Sequence, residues 1–145
     1  MSGFRLDPTD PVHEKLIGRL QTERIGWLGR TGRDGYPHAV PVWFLWHEEQ
    51  IVVFSQPNAA KTKNLRADPR ALLHLESGPS GEFMQVLQGT AELSDEPTAV
   101  WVNRLGDQYL AKYADGLAAL GWDMEQMASD YSVTIVLHPE KVIAW

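Results

Sequence analysis

The chain has no cysteine. That excludes disulfides, thiolate metal sites, cysteine nucleophiles and iron–sulfur clusters together, and it suits a reducing compartment such as the cytoplasm. Long apolar runs are missing too. The run 39–46 is interrupted by Pro41 and falls far short of the roughly 20 residues that span a bilayer. The opening stretch, residues 1–15, is polar and lacks the apolar segment of a secretory signal, so no membrane association is expected. Cations are outnumbered: Lys plus Arg total 13 against 19 Asp plus Glu, a net charge of −6. Nucleic-acid binders show the opposite balance, so nucleic acid is not an expected partner. Internal repeats, low-complexity tracts and linkers are also absent, and 145 residues suit one domain over 1–145.

The familiar catalytic signatures are missing as well. The sequence has no Gly-x-Ser-x-Gly elbow, no His-Glu-x-x-His, no Walker loop and no Gly-x-Gly-x-x-Gly. The histidines at 13, 38, 47, 74 and 138 are scattered, and none pairs at helical metal spacing, so no metal site is expected. No nucleophile, base or proton donor can be named. A protein without such groups can still catalyse if a bound cofactor supplies the reacting atoms.

What the sequence does have is rings: 6 Trp, 4 Tyr and 4 Phe. They serve core and interface packing, or line the pocket of a planar ligand. Asp10-Pro11 predicts a helix start, with Val12, Leu16, Ile17 and Leu20 on one face of a helix over 11–22. Strands are predicted over 24–31, 36–46, 51–55, 70–77, 83–94 and 131–137. Asp34-Gly35 turns the first pair. Pro37 and Pro41 mark an edge or a bulge. A helix over 59–67 stops at Asp68-Pro69. Asp95 is the expected cap of a longer helix carrying the ridge Trp101, Leu105, Tyr109 and Tyr113, with Gly116 and Gly121 marking its end and a second piece over 122–129. About six strands with a few helices predict a mainly β, α+β fold, an antiparallel barrel closed or partly closed to hide its strand edges.

One segment concentrates cations. Lys61, Lys63, Arg66 and Arg70 are four of the 13 basic residues and fall where a strand gives way to a helix. Helix N-termini present unpaired N–H groups and positive potential to phosphate. Lys61 lies in the first turn, and Thr62 adds a hydroxyl. Lys63 lies about 200° round the helix from Lys61, so the phosphate is assigned to Lys61. Lys63, Arg66 and Arg70 read as solvated or as dimer contacts, and a wholly solvated helix face is the alternative.

Three segments in order, Gly35-Tyr36-Pro37-His38-Ala39-Val40-Pro41-Val42-Trp43-Phe44, Phe54-Ser55-Gln56-Pro57, and residues 60–70, together with Gly89-Thr90-Ala91-Glu92-Leu93, resemble the split β-barrel flavoproteins of the pyridoxamine-phosphate-oxidase type. Within that superfamily the chain is most similar to actinobacterial reductases of the B branch that depend on the deazaflavin F420. The resemblance implies a six-stranded antiparallel split barrel of the FMN-binding type. It implies a homodimer with two cofactors in grooves at the interface, and a small-molecule substrate. It also implies that Lys61 and Thr62 meet the cofactor phosphate, flanked by Lys63 and Asn64. Ser55 and Gln56 would lie along the phosphate or ribityl chain, and Pro41, Val42 and Trp43 beside the tricyclic ring. Where some relatives carry a base two positions before the lysine, this chain has Ala59. Gln85 and Gln88 are candidates to reach the partner's cofactor. Three activities follow from the resemblance: reduction of an unsaturated acceptor by reduced F420, FMN-dependent redox chemistry, or carriage of a flavin or haem without turnover. Trp101, Tyr109 and Tyr113, or Trp43 and Trp46, are the rings available to an interface, unless all pack within one chain.

Overall fold

A computed structural model describes residues 3–145, with the side chains of Ala60 and Lys61 outside the description. The chain opens with helix α1 (Pro11–Thr22). The Asp10 carboxylate accepts from the Val12 N–H at 2.8 Å, and Leu16 and Leu20 are buried. A cap of this kind contributes about 1 kcal/mol. Four strands follow: β1 (Gly26–Thr31), β2 (Pro37–Val42), β3 (Leu45–His47) and β4 (Gln50–Ser55). Then come α2 (Ala60–Ala67), β5 (Arg70–His74), β6 (Gln85–Leu93), α3 (Thr98–Leu120), α4 (Met124–Asp130) and β7 (Val133–Ala144).

All described strand pairs are antiparallel, and the sheet order is β2-β1-β5-β6-β7-β4-β3. The count is seven strands, not the expected six, because the strand expected over 36–46 breaks at Trp43–Phe44. The break decides the architecture. β2 and β3 stand at opposite edges of the sheet, yet only residues 43 and 44 separate them. The sheet must therefore curl until its two edges meet at this corner. No described ladder joins them, so the barrel is split along the seam. Pro37 and Pro41 sit in the edge strand β2, where a missing N–H costs little.

Backbone groups at the break are satisfied from α3. The Phe44 N–H donates to the Tyr113 hydroxyl at 2.8 Å. That hydroxyl lies 2.6 Å from the Arg24 carbonyl and 3.0 Å from the Phe44 carbonyl and donates to this pair. The Lys112 amine donates to the carbonyls of Phe44 at 2.9 Å and Leu20 at 3.2 Å. One turn of α3 thereby ties the corner to β1's approach and to α1.

Two apolar clusters result. Inside the curl pack Leu28, Phe44, Ile51, Val53, Leu73, Leu87, Ile135 and Leu137, with Leu16, Leu20 and Leu65 from α1 and α2. Outside it, Leu45 and Val52 meet Leu105, Tyr109, Tyr113 and Leu117 of α3 and Met127 of α4. β4 is thus covered on both faces, which is why 51–54 reads as unbroken Ile-Val-Val-Phe instead of alternating.

Three local expectations need correction. Pro97, not Asp95, stands at the N-cap of α3, without a side-chain cap, and the first helical N–H, that of Thr98, donates to the Ser132 carbonyl at 3.0 Å. Gly116 does not end α3. It lies inside the helix because a Cβ there would fall 2.8 Å from the Trp43 indole, and the helix stops at Gly121 in the left-handed conformation, φ 71°. Tyr109, Tyr113 and Trp46 are 4%, 1% and 8% exposed, so these rings are buried within the chain and unavailable to an interface. A further glycine is obligatory. At the bulge between Gln88 and Gly89, a Cβ on Gly89 would lie 1.9 Å from the His138 carbonyl oxygen.

Tyr113→Phe keeps the ring and deletes the hydroxyl, stranding the Phe44 N–H and the Arg24 carbonyl. It should lower the unfolding free energy by about 1–3 kcal/mol in urea titrations. A loss too small to measure would show that the corner holds itself.

Candidate functional site

A cavity of about 540 Å³ opens beside the seam, lined by Pro41, Val42 and Trp43 of the break and Phe54 of β4, and closed over by Tyr109, Trp122 and Tyr131 from the α3–α4 excursion and the start of β7. Its ring geometry is organised. Trp43 stacks on Tyr113 with centroids 4.6 Å apart and planes 5° from parallel. Tyr109 tilts against Phe54 at 5.2 Å and against Tyr113 at 4.9 Å. Trp122 tilts against Tyr131 at 5.5 Å. Offset and tilted contacts are the favoured aromatic arrangements. They hold the cavity wall rigid while leaving Trp43 half-buried. Burial in this apolar wall pushes the Tyr109 hydroxyl well above its ordinary pKa, so it stays neutral. Such a cavity accepts a flat, largely apolar body.

Phe54 leads directly to Ser55 and Gln56, so the chain leaves the cavity wall and runs into α2. Pro41, Val42 and Trp43 are thus brought to one cavity, and Ser55 and Gln56 adjoin it. Pro41 and Gln56 are exposed; Val42 and Ser55 are buried. The Gln56 carbonyl accepts from the Ala59 N–H at 3.2 Å and from the Thr62 hydroxyl at 3.2 Å, with the Ser55 hydroxyl 3.4 Å away. Ser55 and Thr62 are fully buried and Asn64 is 7% exposed. Here the two hydroxyls brace the turn before α2 and point inward, while Lys63 faces solvent. Lys61 lies in the first turn of α2; its side chain is outside the described residues. Ala59 at the N-cap makes no side-chain cap, which leaves the helix end without the usual internal acceptor. Arg70 is held by the Asp68 carboxylate at 2.8 Å, and Asp68 is in turn pulled down to about 2 by the hydrogen bonds from Arg70.

The two glutamines separate. Gln85 is 3% exposed, with its side-chain oxygen accepting from Arg19 of α1. Gln88 is exposed and lines a cleft on the sheet.

Lys112 is the residue that the sequence did not single out. Its amine lies over the Phe44 ring, 3.6 Å from the centroid, besides holding two carbonyls. Burial pulls its pKa down to about 8 from 10.5. In the sequence it stands beside Tyr113 but off the ridge of Trp101, Leu105, Tyr109 and Tyr113.

Residues 12–145 match the family described as pyridoxamine 5'-phosphate oxidase. The chain belongs to that family. Its members share the split-barrel, flavin-binding fold. Solved structures agree on the fold. A conserved hypothetical protein of Mycobacterium tuberculosis is 23% identical, with a TM-score of 0.68 over 100% of this chain and 89% of its own. A structure described as an F420 reductase is 20% identical, with a TM-score of 0.65 over 87% of this chain and 94% of its own. An FAD-binding protein of Mesorhizobium loti is 19% identical, with a TM-score of 0.63 over 90% and 91%. No helix among the described residues is long and apolar enough to cross a membrane.

Lys112 gives this family member a pH dependence of known sign. Its folded pKa lies below the unfolded value, so between about pH 8 and 10.5 the unfolded chain binds more protons and stability rises with pH. Wild type should gain about 1–3 kcal/mol across that window relative to Lys112→Met. Parallel stability curves for the two proteins would overturn this.

Proposed function

We propose that this protein is a cytoplasmic reductase that binds the deazaflavin F420 and passes hydride from its reduced form to an unsaturated small molecule. The observation that carries the reading is the continuity of an aromatic cavity with the start of α2. Pro41, Val42, Trp43 and Phe54 line the cavity, and the strand that supplies Phe54 ends at Ser55-Gln56 before the uncapped helix. A coenzyme with a planar head and an anionic tail has matching ends. The bound deazaflavin would supply the hydride.

The chain's own residues bind, orient and exclude water. Pro41, Val42 and Trp43 flank the ring, with the unpaired edge of β2 offering backbone groups to its polar rim. Trp43 is fixed for this by its stack on Tyr113. Tyr109, Trp122 and Tyr131 keep solvent from the reacting face. Lys61 holds the phosphate, with Lys63 and Asn64 beside it, and Ser55, Gln56 and Thr62 keep the turn in shape. Among the described residues, Tyr109 and Tyr131 are the ionisable groups that line the cavity.

The working form is a homodimer. Trp27, Leu72 and Val86 remain half-buried on the outer sheet face, where a second copy would cover them, and Gln88 stands on the same face. Sedimentation should give a two-chain species whose cofactor affinity falls on dilution. A stable monomer that binds cofactor fully would refute the interface site.

Fluorescence quenching with F420 and with FMN tests the cofactor. F420 should bind and its reduced form should be oxidised by enones. Tight FMN binding without F420 binding would replace this reading by FMN-dependent redox chemistry. F420 binding without turnover would favour a carrier. Lys61→Ala should weaken binding by about 1.5–3 kcal/mol, on the order of 10- to 100-fold, and Lys63→Ala by less. Equal, negligible losses would remove the phosphate from α2.

A further inference from the structure

The Tyr109 ring has a structural task, but its hydroxyl has none. The ring tilts against Trp43 at 6.4 Å, Phe54 at 5.2 Å and Tyr113 at 4.9 Å between centroids, and the residue is 4% exposed. Three neighbouring rings therefore fix where the hydroxyl sits. One turn further along α3 the Tyr113 hydroxyl meets three backbone groups. The Tyr109 hydroxyl makes no hydrogen bond among the described residues. Buried hydroxyls ordinarily have a partner, because they give up water to be where they are.

This hydroxyl is not sealed in. Among the described residues, the buried polar side-chain atoms without a partner are those of Arg30 and Gln85. The Tyr109 oxygen, unpartnered too, therefore keeps accessible surface, and its residue lines the cavity by the seam. Trp43, Trp122 and Tyr131 share that wall but are only half-buried. Tyr109 is thus the most deeply buried polar side chain in it.

The rest of the wall says what the hydroxyl awaits. No Asp, Glu, Lys, Arg or His among the described residues lines the cavity, so a charged group would lose water there without an ionic partner. Burial keeps the phenol protonated, and the ring draws on its oxygen lone pair, so it donates better than it accepts. Its complement is a neutral acceptor atom on a flat, apolar body.

We propose that the Tyr109 hydroxyl selects the ligand of this cavity by donating a hydrogen bond to the carbonyl oxygen of an uncharged, planar, conjugated molecule. The inference rests on the reductase reading for that molecule's role as hydride acceptor, and it names the acceptor's chemical class. A site built around one buried donor discriminates against analogues that lack the matching oxygen.

Chromone is the probe, a flat neutral ring system with one conjugated ketone. Naphthalene lacks the carbonyl, and chromone-2-carboxylate adds a negative charge. Calorimetric titration of the whole chain should show chromone binding more tightly than either. Tyr109→Phe keeps the ring contacts. It should weaken chromone roughly 3- to 10-fold, the scale of one neutral hydrogen bond, and leave naphthalene unchanged. The infrared carbonyl band of bound chromone should lie at lower frequency in wild type than in Tyr109→Phe. An undiminished chromone affinity in Tyr109→Phe, an equal loss of chromone and naphthalene, or carboxylate binding as tight as chromone's overturns the proposal. Should Tyr109→Phe fail to fold, the wild-type band decides: a frequency equal to that in a hydrocarbon solvent overturns the hydrogen bond, and a lower one supports it. F420 separates this inference from the reading beneath it. Chromone and F420 bound together support an acceptor at Tyr109. F420 that displaces chromone overturns the acceptor and gives the hydroxyl to a carbonyl of the coenzyme's own ring. Chromone bound through Tyr109 without any F420 binding supports the donor and refutes the reductase reading alone.

Discussion

The barrel depends on how one broken strand is mended. At Trp43–Phe44 the ladder stops, the sheet changes direction, and the Phe44 amide and carbonyl need partners in a water-poor corner. Tyr113 and Lys112 supply them from α3. An unsatisfied backbone group in such a place costs about 1–3 kcal/mol, so the corner and the helix are bound to each other. Without α3, the sheet has no reason to curl at that residue. Without the corner, Trp43 loses its place on Tyr113 and the cavity loses a wall. One tyrosine therefore serves both architecture and site: its hydroxyl holds the backbone while its face holds the indole.

The same coupling explains where polar chemistry was placed. The cavity by the seam is almost wholly aromatic and aliphatic, and charged side chains such as Lys63, Arg70 and Lys141 stand at α2 and on the outer sheet face. Rings are rigid with few rotamers, so a wall of them is ordered at low entropic cost. Membership of the pyridoxamine 5'-phosphate oxidase family, whose fold binds flavins, is consistent with an aromatic cavity of this make-up.

Much of this could be read from local sequence, because local physics decided it. Asp10-Pro11 starts α1, Asp68-Pro69 ends α2, and Val133 to Leu137 forms a strand with Ile135 and Leu137 in the core inside the curl. The order of segments 35–44, 54–57 and 60–70 disclosed the family. What escaped the reading was set by distant partners. The break at Trp43–Phe44 is invisible in an apolar run, because the hydroxyl that permits it is 69 positions away. Gly116 looked like a helix end, although its purpose is to admit an indole. Asp95 had the chemistry of a cap, but Ser132 across the fold already supplied the acceptor. The burial of Ser55 and Thr62 and their contacts with the Gln56 carbonyl are likewise set by the fold around the turn. Arg30 gave no sign of its burial, since a single arginine in a strand looks solvated until its neighbours are known.

The sheet order has a consequence for biosynthesis. β7 comes last in chain order yet lies between β6 and β4. Until it emerges, the polypeptide holds two incomplete pieces, a four-stranded ribbon ending in β6 and the short β3-β4 hairpin, each with a naked edge. Open edges invite pairing with other chains, and the aromatic-rich excursion of α3 and α4 precedes the strand that would seal them. Docking of β7 closes both of these edges in a single step, because it pairs with β6 on one side and β4 on the other.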